Sequence, residues 1–379
     1  SSNYFRESLN QINTPNFLNN SLNSSVSFSK TFRGYPSVNM SLSASHSQNT
    51  RSNSVNLVLP TFQGSVERIY PFVKRSGQKK GILKNINMQY NFRGENRITT
   101  TDSLFLKKEM FDDAKYGMRH SIPISTNFKV LKHLSVSMNG NYEEVWTGST
   151  IKRNDYDSET GNSGNKVEIK GFDRFSQYNF GMGVGTTIYG LFNFKKESKI
   201  EALRHVIRPS INYSIRPSFD EYYDTYIIDA NGNTAEYTRF EDNFFGLPSR
   251  TYSSSIGLQV SNNLEAKVRS KDSLAQESKK ITILNNLNFS TSYNLASDSL
   301  KLSPVRMTGG TNLFNNKLNI NLGATFDPYQ INESGTRINK LNINNGKLFR
   351  MTSANINMSF SIDSKSIGEG SNNDNIENL

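Results

Sequence analysis

Between residues 281 and 326 the chain keeps a two-residue period that few folds can absorb. Leu287, Phe289, Thr291, Tyr293 and Leu295 alternate with Asn288, Ser290, Ser292 and Asn294, so an extended backbone carries one apolar and one polar face. Val305, Met307 and Leu313 then alternate with Arg306, Thr308 and Asn312. After the tight turn Phe314-Asn315-Asn316-Lys317, Leu318, Ile320, Leu322, Ala324 and Phe326 alternate with Asn319, Asn321, Gly323 and Thr325. Three consecutive strands, joined as antiparallel neighbours, are expected.

The same period runs through the rest of the chain. Leu22, Val26 and Phe28 turn at Arg33-Gly34-Tyr35-Pro36 into Val38, Met40, Leu42 and Ala44. A third strand of Val55, Leu57 and Leu59 is expected to end at Pro60. A fourth holds Ile86, Met88, Tyr90 and Phe92, and a polar connection over 93–116 follows. Met118 to Val130 forms the fifth, with a very short Leu131-Lys132-His133 turn into a sixth that begins at Leu134 and is capped by Trp146. After a loop over 147–172, Tyr178 to Ile188 and Ile207 to Ile215 supply the seventh and eighth. The ninth covers 252–268, the opening trio supplies ten to twelve, and Ala354, Ile356, Met358, Phe360 and Ile362 make the thirteenth. No amphipathic helical stretch exceeds about two turns, the best candidate being 198–205. The fold class is all-β, with a polar lead-in over 1–20, strands over 21–362 and a disordered polar tail or loop over 363–379.

A chain of 379 residues that is only 35% hydrophobic is thin for several compact cores, yet 24 Phe and 17 Tyr do not describe a disordered chain. Alternate residues facing lipid reconcile the two. A soluble β-sandwich would use shorter strands, whereas alternation here persists for about nine to eleven residues, the length of a tilted membrane-crossing strand. The wet face is Asn, Ser, Thr and Gly with few charges, which suits a polar lumen. Long connections follow strands four, six, eight and twelve, and most connections after odd strands are short; strands three and nine are exceptions. Long loops therefore gather on one rim, as in outer-membrane barrels. Phe92, Trp146, Phe194, Phe326 and Tyr329, at strand ends, are expected in the interfacial girdles. There is no run of ~18 apolar residues and no signal peptide, so a mature form or a fragment is expected.

A net charge of +11 and a pI near 9.5 favour anionic partners, but the charge is dispersed, and nucleic acid is not expected. The one dense basic run, 74–84, reads as a solvated turn. Without cysteine there is no disulfide and no thiolate chemistry. His46, His120, His133 and His205 have no metal-ligand spacing. Gly181-Met182-Gly183-Val184-Gly185 is followed by a strand, so it reads as room for a neighbouring chain and not as a phosphate loop. No catalytic, cofactor-binding or metal-ligating residue is assigned, and the chain is not read as an enzyme. The loop over 216–250 interleaves acids with aromatics. Within it Asp229-Ala230-Asn231-Gly232-Asn233 resembles a calcium loop with a misplaced glycine and no terminal acid, so a divalent-cation site is weighed there against a self-packed loop.

Arg68-Ile69-Tyr70-Pro71-Phe72, Arg204-His205-Val206-Ile207-Arg208-Pro209-Ser210, Asn263-Leu264-Glu265-Ala266-Lys267-Val268-Arg269, and Leu313-Phe314-Asn315-Asn316-Lys317 followed by Leu348-Phe349-Arg350-Met351-Thr352-Ser353-Ala354-Asn355 stand in this order. Together they resemble the barrel domain of the LptD family of lipopolysaccharide-assembly proteins, in its Bacteroidetes form, over nearly the whole chain. The resemblance implies an outer-membrane location with long loops extracellular and an LptE-like lipoprotein plug. It also implies lipopolysaccharide as cargo, outer-membrane lipid as surroundings, periplasmic Lpt bridge proteins reached through a jellyroll, and a lateral gate between first and last strands. No jellyroll is legible, the strand count of about thirteen is odd and no final strand ends in an aromatic residue, so an internal part of the barrel is expected, without the gate. The cysteines that form maturation disulfides in proteobacterial relatives are also absent, so that control step is not carried over. Two alternatives remain at this stage: another large Bacteroidetes barrel, such as a protein-secretion translocon, or a surface β-rich binding protein.

Overall fold

In the computed structural model, which describes residues 21–74, 77–78, 81–195, 198–269, 278–314 and 317–361, the alternating segments are long antiparallel strands. In chain order they are β1 (Ser21–Phe32), β2 (Val38–Asn49), β3 (Ser54–Ile69), β4 (Asn87–Thr101), β5 (Lys115–Val130), β6 (Leu134–Arg153), β7 (Lys166–Gly185), β8 (Ile188–Asn193) and β9 (Ile200–Arg216). Then come the hairpin β10 (Tyr223–Ile227) and β11 (Thr234–Thr238), β12 (Ser253–Val268), β13 (Lys279–Asn294), β14 (Val305–Leu313), β15 (Leu318–Asp327), the hairpin β16 (Tyr329–Ile331) and β17 (Arg337–Leu341), and β18 (Arg350–Phe360). Fourteen of these form one sheet in the order β1-β2-β3-β4-β5-β6-β7-β9-β12-β13-β14-β15-β18, with β8 paired to β9 beside β7. The thirteenth strand falls near its expected place, at Arg350–Phe360, whereas the expected seventh, Tyr178 to Ile188, is split between β7 and β8. The one extra strand arises because β7 and β8, interrupted at Thr186 and Thr187, both run along β9.

Several boundaries differ from the sequence reading. Pro60 lies inside β3: the registers with β2 and β4 both shift there, between Ser43 and Ser45 on one side and Val58 and Thr61 on the other. A proline has no N–H to give the ladder and is tolerated at such a bulge. β4 continues through residues 93–101 and β6 through 147–153, and β7 starts at Lys166, so both expected loops are shorter than read. Charged and glycine-rich residues hid these strand ends. The 198–205 segment is the start of β9, not a helix; the described helix longer than a single turn is α1 (Lys108–Asp112). Residues 1–20 and 362–379, Asn315 and Asn316 of the predicted turn, and part of the 74–84 basic run lie outside the described residues.

The chain divides into two compact units. In unit 1 (1–126, 139–180 and 216–252), two neighbouring polar rows cross the strands. Ser29 faces Ser41, which faces Gln63, then Arg93, then Arg119; alongside, Thr31 faces Asn39, then Ser65, Asn91 and Ser121. Phe28, Leu42 and Phe62 occupy a row on the opposite face, and Val26, Phe28 and Leu42 are exposed there. That face also carries a belt of rings over five strands. Ring centroids lie 5.1 Å apart for Phe62 and Phe92, 5.7 Å for Phe92 and Tyr90, 6.0 Å for Tyr90 and His120, 4.3 Å for His120 and Trp146, and 5.7 Å for Trp146 and Phe172. Gly64 makes space for the Phe92 ring, which a Cβ would strike.

Phe92 and Trp146 meet in one belt of rings, but lie within β4 and β6 and not at their ends. β6 has 20 residues, about twice what a tilted strand needs to cross a bilayer, so the wall continues past the belt.

Unit 2 (127–138, 181–215 and 253–379) repeats the two-faced design. Val260, Phe289, Met307, Ala324 and Ala354 form an apolar row, flanked by Ser261, Asn288, Thr308, Gly323 and Asn355 and by Gln259, Ser290, Arg306, Thr325 and Ser353. Tyr329, at the start of the 328–349 connection, is buried and accepts the Leu302 N–H at 2.9 Å. It therefore stands outside any girdle, because its hydroxyl serves a loop. Gly183 admits Asn212 Oδ1 and Ser137 Oγ, which a Cβ would meet at 2.6 and 2.8 Å; the glycine run gives a neighbour room, as its strand context suggested.

Candidate functional site

The polar rows of unit 1 line a groove of about 580 Å³ whose walls include Ser29, Thr31, Asn39, Gln63, Arg93 and Arg119. Period-two alternation is what assembles them: at these levels every second residue of five adjacent strands is polar, so their side chains share one face. Arg93 and Arg119 are the groove's paired cations, and both are about half exposed. Glu95, almost fully buried, takes both Arg93 and, at 2.7 Å, Arg97. Glu143 accepts from Arg119 at 2.5 Å and from Gln177 Nε2 at 3.0 Å. The guanidinium groups are thereby held in position while half their surface stays free. Such a surface offers hydroxyl, amide and guanidinium donors to a sugar or phosphate.

Nearer the rim, the same face is covered by the 217–252 connection. Phe240, 1% exposed, packs with Val145 and Phe175, and Tyr222 and Phe245 close around them. Arg97 lies 4.3 Å from the Phe244 ring centroid. Ion pairs then fasten the connection to three strand ends. Arg153 holds Glu241 with two nitrogens at 2.7 and 3.0 Å, Lys166 reaches Asp242 at 2.8 Å and Glu241 at 3.1 Å, and Lys115 reaches Asp242 at 3.7 Å. Arg239 donates to Asp173 at 2.7 Å. The Arg153 guanidinium holds the Glu241 carboxyl below its ordinary range, and Lys166 does the same for Asp242.

The acids read as a possible cation site are distributed otherwise. Asp229 Oδ1 accepts the N–H groups of Asn231 and Asn233 at 2.9 and 3.1 Å, and its Oδ2 accepts Asn233 Nδ2 at 2.6 Å. These bonds, the Asn233 side chain first, hold the carboxyl below the ordinary range. The turn closes on itself, and Glu241, Asp242 and Asp173 serve Arg and Lys. Among the described residues no group of three or more His, Asp or Glu is gathered for a metal. The histidines are apart: His120 pairs with Tyr90 Oη at 2.7 Å, and His205 with Asn262 at 3.2 Å.

Sequence reasoning placed Arg93, Glu95 and Arg97 in a connection because the charged end of β4 does not show a regular apolar alternation, and it placed Arg119 in the fifth strand without assigning it a role. The Arg-x-Glu-x-Arg spacing followed by Thr99-Thr100-Thr101 was the available signal: like-facing charges at two-residue steps, then β-branched residues. Comparison with known proteins gives two findings. A search among curated proteins returned no match. A family model described as LptD protein matches residues 1–329.

Proposed function

This chain belongs to the LptD family, outer-membrane proteins of lipopolysaccharide transport, and from that premise we propose that it forms part of the wall of a plugged translocon barrel. In this reading residues 21–362 are barrel strands, and the 102–114, 154–165 and 217–252 connections face the cell exterior. The polar rows face a lumen shared with an LptE-like lipoprotein. Lipopolysaccharide, delivered by periplasmic bridge proteins, reaches the outer leaflet through a lateral gate outside the strands described. The observation that supports this best is the two-faced sheet: Ser, Asn, Gln and Arg rows on one side, and on the other exposed Val26, Phe28 and Leu42 beside a belt of rings. A polar lumen holds a sugar-phosphate head group while an apolar exterior keeps company with lipid. No chemical step is required of any side chain.

Controlled depletion of the full-length protein tests the reading. Surface lipopolysaccharide is expected to fall as the protein is diluted out. An unchanged surface level overturns the proposal.

A further inference from the structure

Two residues beyond the belt, on the same outward face of unit 1, Gly148 follows Trp146 and Lys170 precedes Phe172. There the 102–114 connection folds back over the wall: Met110 of α1 packs on Val55, Leu57 and Ile98, with Ala114 beside them. Between α1 and strands β4 to β7 this leaves a pocket of about 560 Å³, lined by Asn96, Phe111, Asp112, Tyr116, Glu168 and Lys170 among others.

Its lining is unusual for a loop junction. Tyr116 and Phe111 are 58% and 56% exposed, and Gly148 makes room for the Tyr116 ring, which a Cβ would strike. Lys170 Nζ donates to the Asp112 carbonyl at 2.6 Å, tying α1 to β7. Among the described residues, neither the Asp112 nor the Glu168 carboxylate is taken up in an ion pair. Asn96 gives its Nδ2 to the Leu59 carbonyl at the β3 bulge (3.0 Å), and its buried Oδ1 has no partner. Two open rings and two carboxylates outside any ion pair form a surface of aromatic faces and acceptors. That is the complement of a pyranose, which has an apolar C–H face and a rim of hydroxyl donors.

We propose that this pocket binds a sugar ring of the oligosaccharide carried by outer-leaflet glycolipid. Tyr116 and Phe111 supply the platform, and the Asp112 and Glu168 carboxylates accept from hydroxyls. The inference rests on the translocon reading for its orientation. Two strand residues past the belt is about 7 Å along the strand, which puts the pocket at the level where acyl chains have given way to sugars. A wall that grips the sugars of lipid already delivered would keep lipopolysaccharide packed against the barrel's exterior.

The test uses the full-length protein in nanodiscs and, as probe, the core oligosaccharide released from lipopolysaccharide by mild acid. Saturable binding by calorimetry is expected, weakened at least tenfold in Tyr116→Ala and within twofold of wild type in Tyr116→Phe. Heat-modifiable migration on gels verifies that both variants are folded. Enzymatically dephosphorylated oligosaccharide is expected to bind within twofold of the untreated probe. Absence of saturable binding, or equal binding by Tyr116→Ala, overturns the proposal; so does loss of binding on dephosphorylation, which would make this a phosphate site. If titration fails while depletion still lowers surface lipopolysaccharide, the pocket alone is refuted. An unchanged surface level removes the translocon reading itself.

Discussion

Gly117 illustrates how little tolerance single positions have where a connection docks on the wall. A Cβ there would lie 2.8 Å from the Trp146 carbonyl oxygen and 3.5 Å from the Phe244 and Phe245 rings. Overpacking of this kind costs about 1–3 kcal/mol, so Gly117→Val is expected to lower the midpoint of heat-modifiable migration, whereas Gly257→Ala, where a Cβ meets nothing closer than 3.8 Å, should lower it less. Lys132 shows the opposite situation, since it turns between β5 and β6 with φ of 63°. A left-handed residue other than glycine costs about 1–2 kcal/mol, and Lys132→Gly is expected to raise the same midpoint. An unchanged or lower midpoint would mean that the lysine side chain contributes something the backbone argument omits. Gly183 was legible in advance, because a glycine run inside a strand pattern has few other uses. Gly117 was not, since the group it makes room for comes from the neighbouring strand and a connection more than a hundred residues away.

At the level of elements, the 217–252 connection is a small packed body with its own hairpin, fixed by one apolar cluster and one ionic cluster. Removing the buried ring in Phe240→Ala is expected to cost about 3 kcal/mol of docking, read as faster hydrogen exchange at Ile151, whose N–H is bonded to the Arg239 carbonyl. The ionic cluster gives a pH dependence with a definite sign. Glu241 and Asp242 have carboxyls depressed below their ordinary values of 4.5 and 3.8, so the docked state binds fewer protons than the undocked one. The stabilisation is fully present above those values and is lost as pH falls through the lowered ones. Exchange at Ile151, corrected for its intrinsic pH dependence, should therefore be constant from pH 7 to pH 5 and rise below about pH 4; a rise between 7 and 5 would contradict the assignment. The connection's acid and aromatic content was visible in the sequence. Its partners were not, because Arg153, Lys166 and Lys115 sit on strands whose ends charge had disguised. The central trio was legible throughout: residues 281–326 are three neighbouring strands, with Phe289, Met307 and Ala324 in one row. From Leu287 onward the pairing runs without a bulge into β14 and β15, whereas the β12–β13 register shifts twice before it, and a one-residue slip inverts the side chains that follow it.

For the whole molecule, the central claim is that polar rows face water in a lumen while the intervening rows face lipid. These 379 residues contain no cysteine, so a thiol introduced among them is read against the unsubstituted protein as its control. Single cysteines at Ser41, Gln63 and Asn91, and at Leu42, Phe62 and Val26, in the full-length protein in outer-membrane vesicles, can be challenged with a water-soluble maleimide. Separately, they can carry a fluorophore quenched by brominated lipid. The account predicts that the first three react with the maleimide and escape quenching, and that the last three resist the maleimide and are quenched. Equal reactivity on both faces, or quenching on the Ser41–Gln63 side, would contradict it.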